Sequence, residues 1–255
     1  MSYSHSMTTS RRAGTLAAIA MSGALLVSCS GPASGAGNSP ASASVVACEQ
    51  PQMPEVAGSD VTIVLGGKGD FGPVAAKASA GHPKDTRDVY IFASPGAAGV
   101  DVLAVIDPRA RKNENEEYRG ARIGGEANCA DAASASAPDP VGDVIGSLVA
   151  ASELGRGARS IRVVVPAAGR HHAFGLDVGT ADLSTDANRS ALVQQLVGRG
   201  VLAPIADSVW LEFSGLDVHG SLKAGELRAF YQSVCKQLEP TDVRCSVVTN
   251  KETSR

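Results

Sequence analysis

No stretch of this 255-residue chain is basic enough to hold a nucleic acid, and none is apolar enough to span a bilayer. The uncharged run from Ala13 to Val27 falls short of the about 20 apolar residues a membrane-spanning helix needs. Serines near strand ends or helix starts (Ser94, Ser214 and Ser221) are not set in Gly-x-Ser-x-Gly, so a serine-hydrolase elbow is unsupported. His171 and His172 are adjacent, and neighbouring side chains rarely converge on one ion. Even with Asp177 nearby, no third ligand is spaced to complete a zinc tetrahedron, which leaves two solvated loop histidines. The single tryptophan, Trp210, reads as strand packing.

What is present begins with an export signal. Arg11 and Arg12 precede the short apolar run, and small residues precede Cys29, the three-part pattern of a signal peptide. Gly14 and Thr15 stand where a twin-arginine signal would carry bulky apolar residues. The tetrad Leu26-Val27-Ser28-Cys29 resembles a bacterial lipobox. That resemblance implies cleavage between Ser28 and Cys29, and acylation of Cys29 as the new N-terminus. Loss of residues 1–28 leaves 21 basic against 26 acidic side chains, a net charge of −5. An acidic chain of this kind does not dock on anionic lipid by charge, so the lipid on Cys29 supplies the membrane contact. The expected location is the outer face of the cell membrane.

Four cysteines remain: Cys48, Cys129, Cys235 and Cys245. An even number in an exported chain predicts two disulfides, with three possible pairings. Cys235 falls late in a predicted helix and Cys245 early in the next strand, where a local bridge is sterically easy. Cys48 and Cys129 would then pin the lead into the domain onto a long loop.

Residues 29–57 form the lipidated N-terminus and linker. Within it, residues 30–47 carry no charge and no aromatic ring, and predict a flexible tether with a span of about 25 Å. Residues 58–250 alternate β-rich runs with helical patterns, followed by a tail at 251–255. Strands are expected at 61–65, 88–93, 101–106, 160–165, 209–213 and 243–248. Helices are expected at 71–80, 139–154, from a cap at Asp186 to Gly198, and from Ser221 through Leu238. Residues 107–138 read as a charged, solvated surface loop, with a functional insertion or an unrecognised hairpin as the alternatives. The alternation predicts an α/β fold in three layers, a mostly parallel six-stranded sheet flanked by helices.

Ligands of such sheets bind beyond the carboxyl ends of the strands. There, Gly67-Lys68-Gly69-Asp70-Phe71-Gly72 spells G-x-G-x-x-G, although the acid a dinucleotide fold places after its second strand is replaced by Phe92-Ala93-Ser94. The segments VTIVLGGKGDF, Pro138-Asp139-Pro140-Val141 and VVVPAAGR together resemble the three metal-binding elements of von Willebrand factor A-like domains. That likeness places Gly66, Lys68 and Asp70 at the first ligand positions and Ala167 and Ala168 at the last. Two alanines, a glycine and a lysine cannot supply the oxygens a hard cation needs, so no metal or other cofactor is expected. The C-terminal stretch DLSTDANRSALVQQLVGRGVLAPIADSVWLEFSGLDVHG looks like that of actinobacterial exported proteins with this fold.

The resemblance implies a non-enzymatic, metal-independent binding or envelope-scaffold module. Its candidate binding edge comprises Lys68, Asp70, Asp139, His171 and His172, on loops 66–72, 94–99, 107–140, 166–186 and 214–221. The expected partner is an envelope protein of unspecified identity. Two other readings remain: a Rossmann-like enzyme using Gly67–Gly72 with Asp70, Asp139 or His171, and an accessory subunit of an envelope complex. Asp70, Asp107 and Asp139 are also candidates for a loose cation cluster at the same edge.

Overall fold

Alternate residues of the strand Val61–Leu65 are buried against different helices, and that period of two sets the layers of the molecule. The computed structural model describes residues 48, 51–81, 88–96, 99–135, 143–170, 172–173, 176–202, 205, 209–216, 221–238 and 244–248. All lie in one compact unit, residues 45–255. The expected lipobox with Ser28 and Cys29, the expected tether, Asp139, His171 and the expected tail fall outside the described residues.

In chain order the elements are β1 (Asp60–Leu65), α1 (Phe71–Gly81), β2 (Asp88–Gly96), β3 (Gly99–Ile106), α2 (Glu116–Ala135), α3 (Val144–Glu153) and β4 (Ser160–Val165). There follow a 3-10 turn (Ala168–Arg170), β5 (His172–Ala173), β6 (Leu176–Asp177), α4 (Asp186–Gly198), β7 (Val209–Phe213), α5 (Ser221–Leu238) and β8 (Arg244–Val247). Six strands form one sheet in the order β3-β2-β1-β4-β7-β8, and β5 pairs with β6 apart from it. All neighbours in the large sheet are parallel except β2 and β3. This is the three-layer α/β fold with a mostly parallel six-stranded sheet that the alternation of patterns predicts.

One face packs Ile63, Val163, Leu211 and Phe213 against Leu148 of α3, Leu196 of α4 and Phe230 and Tyr231 of α5. The other packs Val64, Phe92 and Ile106 against Phe71 and Ala75 of α1 and Ile123 and Ala127 of α2. Phe71 and Phe92 stack with ring centroids 5.1 Å apart. Helix starts are capped as their sequences allow. Asp143 accepts from the Gly146 amide at 2.8 Å, and Thr185 accepts from the Asn188 amide at 3.1 Å. The cap of α4 is therefore Thr185, one residue before the Asp186 expected. Thr185 takes the extended backbone a cap requires, and Asp186 becomes the first helical residue, where it pairs with Arg189.

The larger correction concerns residues 107–138. β3 runs back along β2, so that Ile106 lies beside Tyr90 and Gly99 beside Gly96. Residues after Ile106 therefore leave from the amino edge of the sheet, not the carboxyl edge. From Glu116 to Ala135 the chain is helix, not loop. Its apolar side chains are sparse and small, with Ile123, Ala127 and Ala130 carrying the buried stripe among many charges, and this hid the helical period.

Cys48 and Cys129 are joined, with Cα atoms 5.6 Å apart and a sequence separation of 81. Cys235 and Cys245 are joined across 10 residues with Cα atoms 5.5 Å apart, tying α5 to the edge strand β8. Cys129 lies on a helix rather than the long loop expected. Chain-entropy arguments weight the longer loop more, about 4.5 kcal/mol against about 2.8 kcal/mol. Urea unfolding of Cys48→Ala/Cys129→Ala should therefore show a larger loss of stability than Cys235→Ala/Cys245→Ala. The reverse order would show that the long bridge closes a lead that is already ordered without it.

Candidate functional site

The carboxyl end of β1 is shaped by Asp70. After Leu65 the Gly66 amide still bonds to the Ala93 carbonyl at 3.0 Å, and the chain then turns so that Asp70 folds back over it. The Gly67 amide donates to Asp70 Oδ2 at 2.9 Å. A side chain at position 66 would place its Cβ 2.9 Å from the Cβ of Asp70, so glycine there is what lets the carboxylate fold inward. Gly69 has φ of +86°, and its amide donates to Asp131 Oδ1 at 2.8 Å. The end of α2 thus reaches the same edge.

The end of β4 is held from behind. Ser214 donates its amide to Val165 and accepts from the Ala168 amide at 2.7 Å. The hydroxyl of Tyr231, on α5, donates to the Ala168 carbonyl at 2.7 Å, and burial pushes that phenol well above its ordinary pKa. Ala167 sits at φ 51° against Gly215, where a Cβ would lie 2.3 Å from the Ala167 nitrogen. These contacts aim the turn Ala168–Arg170 across the sheet edge, and the Arg170 guanidinium pairs with Asp70. The two are unequally placed: the Asp70 side chain is 4% exposed and that of Arg170 is 45% exposed. A buried carboxylate therefore anchors a cation that still faces solvent. Lys68 is exposed on the neighbouring loop.

Of the positions at which the metal-site resemblance expects oxygens, Gly66, Ala167 and Ala168 have none on a side chain. Asp70 is engaged by the Gly67 amide and by Arg170. A guanidinium on the one carboxylate does not fit a divalent cation, which needs several oxygen ligands and no neighbouring positive charge. Among the described residues, no three His, Cys, Asp or Glu side chains come close enough together to hold a metal. The glycine loop fits a phosphate poorly as well, because the Gly67 and Gly69 amides already donate to carboxylates.

Of the expected edge residues, Lys68 and Asp70 share the β1 loop. His172 begins β5, paired with Asp177, its side chain lying outside the described set along with His171 and Asp139. Asp107 is at the opposite edge, which removes it from any cluster with Asp70. Arg170, Asp131 and Tyr231 were not singled out from the sequence as site residues. The one available signal was an arginine closely following the strand that, by the resemblance, should end in an acid.

At the amino edge, Arg122 of α2 holds the 107–114 segment. It donates to the Asp107 carbonyl at 2.9 Å, the Arg109 carbonyl at 3.0 Å and Glu114 Oε1 at 2.9 Å. Beside it is a cavity of about 450 Å³ lined by Asp107, Arg109, Ala110 and Arg111. Arg109 is bound to Asp107, which leaves Arg111 as the remaining charge on the cavity wall. The Arg122 guanidinium, with help from the Arg111 amide, holds the Glu114 carboxyl down at about 2. Burial instead raises Glu126, despite the attraction of Arg122. We read this cluster as structural.

No protein-family model matches the chain, and no curated protein matches it.

Because the folded state holds Glu114 below the value of about 4.5 it has when unpaired, its contribution is present above pH 4.5 and disappears as pH falls toward 2. Glu114→Gln should therefore melt below the parent protein at neutral pH, with the gap closing across that window. A gap that stays constant from pH 7 to pH 2.5 would show that the Glu114–Arg122 pair contributes nothing through charge.

Proposed function

We propose that this protein is a lipoprotein, anchored through Cys29 to the outer face of the cell membrane, whose von Willebrand A-like domain is a non-enzymatic, metal-independent binding or scaffold module. The observation that carries the reading is the Arg170–Asp70 pair at the carboxyl edge of the sheet. A protein-supplied cation, anchored by a buried carboxylate, occupies the edge where the resemblance would put a metal. It leaves guanidinium donors facing outward for a partner's acceptors. Support for the non-enzymatic part comes from the chemistry at that edge. Gly67, Gly69 and Asp70 are engaged within the protein, and among the described residues no nucleophile and base are brought together there.

Support for the anchor is the signal-like pattern from Arg11 to Ser28, the tetrad Leu26-Val27-Ser28-Cys29 that closes it, and the uncharged residues that follow. Among the described residues, no helix is long and apolar enough to cross a membrane. The envelope partner engages loops 66–72 and 166–170.

Two measurements test the reading. Cys29→Ser should move the protein from the membrane fraction to the soluble fraction; retention in the membrane would sink the anchor. A photo-cross-linking residue at Lys68 should yield a discrete adduct in intact cells, while the same residue at Arg111, on the opposite edge, should not. Equal labelling at both edges, or none at Lys68, would contradict the choice of edge.

A further inference from the structure

The two faces of the sheet are not equally covered. On the face that carries Thr62 and Val64, the core built with α1 and α2 takes strand residues from β1, β2 and β3 only. Helices α3, α4 and α5 all pack on the opposite face. Among the described residues, no helix builds a core on the first face of β4, β7 and β8. The strand register puts Thr62, Arg162, Trp210 and Arg244 side by side in one row there, with Val164, Glu212 and Ser246 in the next.

Trp210 is the only tryptophan in the chain, and it is 45% exposed in the middle of this row. It is held in position. Its Nε1–H donates to Ser246 Oγ at 3.3 Å, and the Arg162 guanidinium carbon lies 5.4 Å from its ring centre. Arg162 is in turn paired with Glu212. Arg244 is exposed and has no ion-pair partner among the described residues, so the row carries one unneutralised positive charge.

We propose that the exposed part of this face, around Trp210 and Arg244, is a binding platform for an acidic saccharide: a sugar ring lies on the Trp210 indole and its carboxylate is taken by Arg244. The proposal is separate from the carboxyl-edge reading and does not depend on it. Three features select the ligand class. Among the described residues the patch has one large exposed apolar side chain, whereas a protein interface of standard size, about 800 Å² per partner, is built around a core of several. A pyranose offers one flat face of C–H groups, which suits a single pinned indole, and a rim of hydroxyls for the surrounding polar side chains. The free charge on the platform is a guanidinium, whose planar donors match a carboxylate in two-point geometry.

The lone tryptophan reports directly on occupancy. Full-length protein carrying Cys29→Ser would be titrated with hexagalacturonate, with neutral maltohexaose and with hexaglutamate while tryptophan emission is followed. Saturable quenching or a blue shift with hexagalacturonate is expected, at least tenfold weaker with maltohexaose and absent with hexaglutamate. Arg244→Gln should weaken hexagalacturonate binding about tenfold with Trp210 emission still available as the readout. Trp210→Ala, a surface change that leaves the core untouched, should abolish the heat of binding in calorimetry.

No emission change with hexagalacturonate would overturn the proposal, as would an unchanged affinity in Arg244→Gln. A response to hexaglutamate as strong as that to the sugar would assign the surface to an acidic peptide instead. Emission that shifts with protein concentration alone would assign it to a second copy of the chain.

Discussion

A carboxylate taken out of water must be met by donors or by opposite charge, and Asp70 is met by both. Its burial dictates glycine at position 66, because any side chain there would collide with it. It also requires that the end of β4 deliver a cation, and the whole rear of that loop is organised to do so. Tyr231 and Ser214 fix Ala168, while Gly215 makes room for the left-handed Ala167. Arg170 is the visible end of a set of contacts reaching from α5 through β4 and β7 to β1. Removing the donors or the cation that meet a buried carboxylate leaves its charge uncompensated, so these residues form an interdependent group.

The second organising constraint is the reversal of β3. Five parallel strands have all their carboxyl ends on one edge. A single antiparallel strand sends its following segment to the other, and α2 then has to travel the height of the sheet to return. That path places Arg122 at the amino edge, where it closes the 107–114 segment, and Asp131 at the carboxyl edge, where it caps the Gly69 amide. One helix therefore braces both edges, and Cys129 near its end ties it to Cys48.

Much of the fold was legible because its strands are dense in valine, isoleucine and leucine, bounded by glycine. β1, β4, β7 and α5 lie within a residue of where the pattern puts them. The cysteine pairing could be read from which elements were neighbours. α2 was not legible, since helical period is carried by apolar side chains and this helix buries one isoleucine with two alanines, an arginine and a serine. The direction of β3 was equally hidden, because a strand's orientation is set by its partner and not by its own residues. At the site, Asp70 stood out as an acid beyond a strand. Its partner is 100 residues away, and long-range pairing leaves no local trace. Trp210 read as packing because alternation in VWLEF says which residues share a face, not whether a helix covers that face.

The central claim is that the carboxyl edge works with Arg170 in place of a metal. It is tested most directly by the melting temperature of the Cys29→Ser protein in Mg²⁺, Mn²⁺, Ca²⁺, Zn²⁺ and EDTA. A ligand at a hundred times its dissociation constant stabilises by about 2.7 kcal/mol, a shift of several degrees for a domain of this size. The account predicts the same melting temperature in every condition. A rise with one metal that disappears in Asp70→Ala would show that the guanidinium yields its place to a cation, and would contradict it.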